Sequence, residues 1–525
     1  MIYPIIRTSK TKNASTLQKK LLSGLFWVLL LNLLIKPFWI LCIEVGVQNA
    51  VGTEEYGFYF TIFNLAYIFN ILLDLGITNF NTRNIAQHPH LISKHLPHIL
   101  SIKLLLLAFY VVVTFTTGML LGYDSRQFYL LAFLSFNQFL NSLILYLRSN
   151  FEGLLLFKWD SVISILDRLI MIALCGALLW LPHHPTFKIE YFVYAQTIAY
   201  LLTAALACAV LIRKTDFHRL RFNRPFTLAI LKQSLPFALL VLLMASYNRL
   251  DPVLLQKISP AGLGDYNAGI YASAFRLLDA LTMIAYLVSV PLLPIYSRLT
   301  KFSSIQAINI STYQHINKYS SNQTIKQSSN QELASTTRIV TSLMLVYSVT
   351  AAIALASIDS QLMELLYTDH TAESAAVFRI LVYGIIPISM TYVFGTLLTA
   401  AGRLRQLNIF ALCTLAINIA VNLLCIPHWG AVGSAWASLV AQSFMAITQL
   451  WAAMKIFHLR PSWGYILKIA FFTLSITSCS LLTPSDHAWW LRLTLVGIVA
   501  LVMAVLLKLI DINELKTIIN NQEQQ

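Results

Sequence analysis

The chain has 525 residues, 57% of them hydrophobic and only 11% charged, against about 25% charged in ordinary soluble domains. That is the composition of a polytopic membrane protein. The net charge of +15 does not point to nucleic acid, because basic residues in such chains collect in cytoplasmic loops.

The chain opens with MIYPIIRTSKTKNASTLQKK, polar and basic. The apolar run behind it is too long for a signal-peptide core and lacks an A-x-A cleavage pattern, so a retained first spanning helix is expected. With about 20 apolar residues needed to cross the hydrocarbon, spans are predicted at 21–43, 57–80, 98–121, 127–147, 162–181, 190–212, 229–256, 267–297, 334–357, 374–400, 406–426, 431–456, 463–482 and 489–510. This makes about fourteen transmembrane helices in an all-α protein.

The first span carries Lys36 followed by Pro37. Asp74 lies near the inner end of the second, in LLDLGITNFNTRN, where the plain reading is a helix-end carboxylate bonded to a nearby Asn or to Arg83. The loop HPHLISKHLPH holds His88, His90, His95 and His98 without an accompanying carboxylate, so no metal site is expected. Arg168 stands beside Asp167 near the inner end of its helix and can snorkel. The seventh span contains MASYNRLDPVLLQ, with Arg249 and Asp251 two positions apart; such a pair faces different directions on one helix. Arg276 and Asp279 follow on the eighth span at i, i+3, where they share a face. The segment 301–331 is rich in Ser, Asn and Gln and reads as a polar linker. Asp359, Glu364, Asp369 and Glu373 form an outer acidic cluster with no legible acid/base arrangement, and Arg379 stands alone on the tenth span. Six cysteines are scattered without a C-x-x-C pair, and no Walker A pattern occurs.

Orientation follows from the basic residues. Of 37 Lys and Arg, 28 fall in one set of alternate loops and helix ends. Four, Arg126, Lys188, Lys257 and Arg492, fall in the other, and five, Lys36, Arg168, Arg249, Arg276 and Arg379, lie inside predicted spans. The positive-inside rule then places both termini in the cytoplasm.

An internal repeat links the two halves. GTEEYGFYFTIF and GDYNAGIYASAF share G-x-x-x-x-G-x-Y-x-x-x-F, aligning Gly52, Gly57, Tyr59 and Phe63 with Gly264, Gly269, Tyr271 and Phe275. At the same offset Lys36 maps onto Asn248, beside Arg249. A cation at mid-membrane costs at least about 2.5–3.5 kcal/mol and is tolerated when it faces a hydrated space or an anionic partner. Lys36, Arg249 and Arg276, with Arg379, are therefore candidate anion-binding residues. Arginine matches phosphate oxygens bidentately, and if the ligand were a diphosphate on a lipid, two or three such cations would replace part of its lost hydration. The outer-end tyrosines Tyr56, Tyr59, Tyr266 and Tyr271 read as an interfacial belt.

With these features the sequence resembles bacterial oligosaccharide flippases of the Wzx type, in the multidrug/oligosaccharidyl-lipid/polysaccharide exporter superfamily. The likeness is carried by VGTEEYGFYFTIFNLAYIFNILLDLGITNFNTRNIA, NRLDPVLLQKISPAGLGDYNAGIYASAFRLLD, VPLLPIYSRL, TAAGRLRQLN and NIAVNLLCIPHWGAVGSAWASLVAQ. It implies two pseudo-symmetric six-helix lobes in a V, with two further C-terminal helices: 1–212, a linker at 213–228, 229–457, and 458–525. It implies a chain in the bacterial inner membrane that moves undecaprenyl-diphosphate-linked oligosaccharide to the outer leaflet by alternating access. No cofactor is implied, but a proton or sodium gradient is, with Asp251, Asp279 and Asp74 as candidate coupling carboxylates. Its partners would be the lipid-linked oligosaccharide, membrane lipid and polymerase or assembly proteins, with one chain as the transport unit and no nucleic acid. The lipid II flippase branch is a secondary reading, since its arginine–aspartate pair cannot be placed on the first helix. A drug or cation exporter would favour an acidic cavity, and a membrane glycosyltransferase or polymerase would need acid/base groups beside a larger outer loop.

Overall fold

A computed structural model describes residues 34–509, apart from 36, 79–80, 83–84, 86–91, 155, 181–186, 214–223, 290–291, 294, 298, 301–318, 460–461 and 484–487. The described residues form helices and no strand. A π-helical turn, Trp39–Glu44, leads into α1 (Val45–Val51). Then come α2 (Thr53–Ile68), extended by a tighter turn at Phe69–Leu73, α3 (Ile92–Leu120), α4 (Ser125–Gly153), α5 (Phe157–Trp180) and α6 (Ile189–Ile212). The second half runs through α7 (Arg224–Arg249), α8 (Asp251–Ile258), α9 (Gly264–Ser289), α10 (Tyr319–Ala356), α11 (Asp359–Leu366), α12 (Thr371–Leu381), α13 (Ile385–Ala400), α14 (Leu404–Phe457), α15 (Trp463–Leu482) and α16 (Trp489–Leu506).

Among the described residues, 11 helices are long and apolar enough to cross a membrane, or 12 if the bent pair Leu235–Arg249 and Asp251–Ile258 is one span. This is a multi-pass membrane protein. Two things separate this number from the fourteen spans expected from hydropathy. The first, 21–43, lies mostly outside the described residues, and only the short apolar helix Trp39–Val51 represents it. The spans at 406–426 and 431–456 run together in the 54 residues of α14. A straight helix of that length would extend about 80 Å, more than twice the hydrocarbon thickness of about 30 Å. Instead Gly430, at φ 51° and ψ −128°, turns the chain back. Ser434 then donates to Asn422 Oδ1 at 2.9 Å and Thr414 to Met445 Sδ at 3.5 Å, so the two arms are antiparallel. Gly433 permits the turn, because a Cβ there would lie 2.5 Å from the Cys425 carbonyl oxygen.

The chain divides into two compact units, one of Met1–Lys257 with Gly262–Gly269 and the other of Ile258–Ala261 with Ile270–Gln525. The seventh predicted span and the first turns of α9 thus group with the first half. In that unit the repeat makes a reciprocal contact. A Cβ on Gly57 would lie 1.9 Å from the Asp265 carbonyl oxygen, and a Cβ on Gly269 would lie 2.0 Å from the Thr53 carbonyl oxygen. Residues 53 and 57 are the repeat equivalents of 265 and 269, so each copy presents the same glycine to the same carbonyl of the other. Gln48 donates to the Gly269 carbonyl at 3.3 Å beside this crossing. Only glycine lets two backbones approach so closely. Nearby, Arg126 on α4 takes both oxygens of Glu55 on α2 at 2.8 Å, reaches Glu190 on α6 at 2.9 Å, and lies over the Phe58 ring. Its exposure limits what this clasp adds to stability.

In the second unit, α15 and α16 pack on α10 through Val349, Ile353, Phe472, Ile476, Val496 and Ala500. Arg492 anchors them by donating to the carbonyls of Ser357 and Thr483. The faces of α15 and α16 away from α10 present Leu467, Phe471, Leu474, Ile498 and Leu501, all more than half exposed, as helices bordering lipid do.

The glycine crossing can be tested against a glycine with open surroundings. Gly57→Leu and Gly269→Leu are each expected to lower stability in detergent by about 1–3 kcal/mol or more. Gly497→Leu, with nothing within 4 Å of its Cβ position, should stay within about 0.5 kcal/mol of the parent. Thermal melting of the three variants checks this, and equal melting would refute the close contact.

Candidate functional site

Among the residues singled out by sequence, Lys36 lies outside the described residues. Directly after it, the turn Trp39–Glu44 is π-helical, and the Trp39 indole donates to Glu44 at 2.9 Å. The leading helix departs from α geometry two residues beyond Pro37.

Arg249 and Asp251 stand on either side of a break. Arg249 is the last residue of α7 and Asp251 the first of α8, and the two helices meet at a 48° bend. Pro252 explains the bend, since it supplies no amide hydrogen to the preceding turn. The break resolves the two-residue spacing: the pair flanks a corner instead of decorating one continuous helix. Asp251 is fully buried, whereas Arg249 is partly exposed. The Arg249 guanidinium lies 5.1 Å from the centre of the Tyr67 ring on α2. Thr61, further up α2, donates to the Pro252 carbonyl at 3.3 Å. Helix α2 is thereby held along the break, and the cation–π contact falls where that alignment puts it.

Asp74 sits just beyond the Phe69–Leu73 turn and pairs with Lys103 on α3 at 2.9 Å. Lys103 is 1% exposed and also donates to the Leu73 carbonyl at 3.2 Å and to the Ser142 carbonyl and hydroxyl at 3.3 and 2.8 Å. Thr78 completes the carboxylate's shell through its amide and hydroxyl. The partner that the structure provides is Lys103; Arg83 lies outside the described residues. One turn earlier, Asn70 donates its amide to Gln138 Oε1 on α4.

In the second unit, Arg276 is 3% exposed on α9 and donates to the Tyr367 hydroxyl at 3.3 Å, which in turn donates to the Ser273 carbonyl at 3.2 Å. Asp279 lies one turn along the same helix and is partly buried. Arg379, on α12, pairs through Nε with Asp359 at 2.5 Å; the arginine side chain is 61% exposed and the aspartate 6%. Part of the acidic cluster noted in the sequence therefore serves as the counter-charge of Arg379. Arg168 binds Asp167 at 3.5 Å and lies over the Trp39 ring at 5.5 Å, so its stem and head pack between helices.

Sequence reasoning missed Lys103, Tyr67, Tyr367 and the Asn70–Gln138 pair. Lys103 had a signal, as a lone cation inside LSIKLLLLAFY, but was counted with the cytoplasmic helix ends. Of the histidines in the loop before α3, His88 and His90 lie outside the described residues. Among the described residues no group of three or more His, Cys, Asp or Glu is placed to hold a metal ion.

Several solved structures share this fold. The lipid II flippase MurJ in an inward closed conformation is 15% identical, with a TM-score of 0.58 over 91% of this chain and 98% of that one. An inward-facing multidrug resistance MATE family transporter of the MOP superfamily is 14% identical, with a TM-score of 0.57 over 80% and 94%. A MOP superfamily transporter from Pyrococcus furiosus, described as having a binding pocket of reverse polarity, is 13% identical, with a TM-score of 0.52 over 85% and 97%. At such identities the likeness concerns fold alone. No curated protein matches the chain in sequence. The family described as polysaccharide biosynthesis protein matches residues 21–300. That match spans more than half of the chain, from the start of the first predicted span to just past the eighth, and with the MOP-type fold it makes this chain a member of the polysaccharide biosynthesis protein family.

Proposed function

We propose that the chain is a flippase that carries undecaprenyl-diphosphate-linked oligosaccharide, an O-antigen or capsule repeat unit, across the bacterial inner membrane by alternating access. The observation that carries this reading is Arg249, a partly exposed guanidinium at the corner of a broken helix, packed on an aromatic ring and two residues from a fully buried carboxylate. Discontinuous helices are where secondary transporters place their substrate and ion sites. A guanidinium there offers paired donors to a diphosphate and replaces part of its lost hydration. Arg276, and Lys36 on the leading helix, are assigned to the same headgroup at other stages of transit. Arg379, held by Asp359, would join them only after that pair opens.

Coupling to a proton or sodium gradient needs carboxylates whose charge is sensed by the transport path. Asp251 at the break and Asp279 beside Arg276 are assigned this role. Asp74 enters only together with Lys103, whose ammonium opposes its neutralisation. No covalent step is part of the scheme, one chain is the transport unit, and the termini lie on the cytoplasmic side. Polymerase and assembly proteins would receive the exported unit.

In proteoliposomes supplied with a labelled polyprenyl-diphosphate oligosaccharide, Arg249→Ala is expected to reduce translocation by about tenfold or more, as loss of a charge-assisted contact of about 1.5–3 kcal/mol requires. Arg249→Lys should retain a part of the activity, since it keeps the charge and loses the fork. Full transport by Arg249→Ala, in a protein that melts as the parent does, would remove the residue from the site.

Lys103 should behave differently. Lys103→Met is expected to lower stability by about 3 kcal/mol, because it leaves Asp74 charged against a largely buried wall. Combining it with Asp74→Asn should recover part of that loss. Detergent melting curves of the single and double variants decide this; an unchanged melt for Lys103→Met would show that the pair does not hold the unit together.

A further inference from the structure

Tyr56, Tyr59, Phe60, Phe63 and Tyr67 recur along α2 at intervals of three and four residues, so their side chains share one side of the helix. Their rings form an unbroken series: Tyr56 to Tyr59 at 5.5 Å, Tyr59 to Phe63 at 5.9 Å, Phe63 to Tyr67 at 6.0 Å. The series begins in the core and ends outside it, with Tyr56 and Tyr59 at 2% and 3% exposure and Tyr67 at 37%. Packing alone accounts for the buried end. The open end differs, because the guanidinium of Arg249 lies against the Tyr67 ring, and a charge beside a lipid-facing ring is disfavoured. A turn below, the partly exposed Asn70 donates its amide to Oε1 of the buried Gln138, and among the described residues Asn70 Oδ1 and Gln138 Nε2 are the atoms of this pair left for a further partner. A partly exposed aromatic ring, a cation and two side-chain amides thus follow one another on neighbouring turns.

A sugar ring matches this order. Its C–H faces pack on aromatic rings, its hydroxyl and acylamino groups pair with amides, and in a lipid-linked glycan the first sugar is bonded directly to the diphosphate. We infer that Tyr67, with Asn70 and Gln138, forms the subsite for the first sugar of the lipid-linked glycan, next to the diphosphate at Arg249. The inference rests on the assignment of Arg249 to the diphosphate made above. Tyr67 is a specificity-determining residue in this account, since the phosphate contact is common to every polyprenyl diphosphate and the ring contact is not.

The test compares two probes in nanodiscs, polyprenyl diphosphate alone and polyprenyl diphosphate carrying one N-acetylhexosamine. The parent is expected to prefer the sugar-bearing lipid by about two- to tenfold, the range that aromatic contacts span. Tyr67→Ala should weaken the sugar-bearing lipid more than the bare one, so that the ratio of the two affinities falls to about one, and Tyr67→Phe should retain the preference, which controls for folding. Loss of affinity for both lipids alike in Tyr67→Ala would mean that the ring only positions Arg249, and would overturn the subsite. Equal binding of both lipids by the parent would overturn the subsite alone, whereas binding of neither would overturn the diphosphate reading beneath it.

Discussion

A charge inside a membrane protein must be met by something specific, because the surrounding hydrocarbon offers no compensation. This chain meets its charges in distinct ways. Lys103 is enclosed by a carboxylate, two carbonyls and a hydroxyl. Arg379 is matched to one buried aspartate, Arg492 to two carbonyls at the root of the C-terminal helix pair. Arg249 is met on one side by an aromatic face while staying partly open. The first three arrangements hold helices together; the last sets a partly exposed guanidinium on an aromatic ring at a helix break.

That openness depends on how α2 is placed. Three contacts in succession fix it against the broken helix and its neighbour: the backbone crossing at Gly57 and Gly269, the Thr61 hydroxyl on the Pro252 carbonyl, and the Tyr67 ring under Arg249. The first sets the distance, the second the height and the third the site. Since the crossing admits no side chain, small changes there are transmitted along α2 to the ring and the cation. The glycine contacts are reciprocal, residue 57 against 265 and residue 269 against 53, so equivalent positions of the two repeat copies meet.

Much of this was legible in the sequence where a residue type is the only one that fits. The shared G-x-x-x-x-G pattern marked the repeat, though not the close contact its glycines make, and the sequence also carries a proline at the break and a glycine between the two apolar runs that α14 joins. Hydropathy located the long apolar helices, of which 11, or 12 with the bent pair, stand among the described residues against fourteen expected. What it does not carry is the depth and direction of a single polar side chain. Lys103 looks in sequence like any snorkelling lysine at a helix end, and only the packing of α3 against the Leu73–Asp74 turn and Ser142 reveals its enclosure. Tyr67 is one aromatic among many until α7 is placed beside it, and the counter-charge of Arg379 lies 20 residues away on another helix.

The central claim is that the wall formed by Tyr67 and Arg249 faces water and attracts anions. Placing a single cysteine at Tyr67 in a chain whose six native cysteines are replaced measures this directly. The account predicts modification by water-soluble methanethiosulfonates, faster for the anionic reagent than for the cationic one, with the difference abolished by Arg249→Ala. A cysteine that ignores both water-soluble reagents and reacts only with a lipid-soluble maleimide would contradict it.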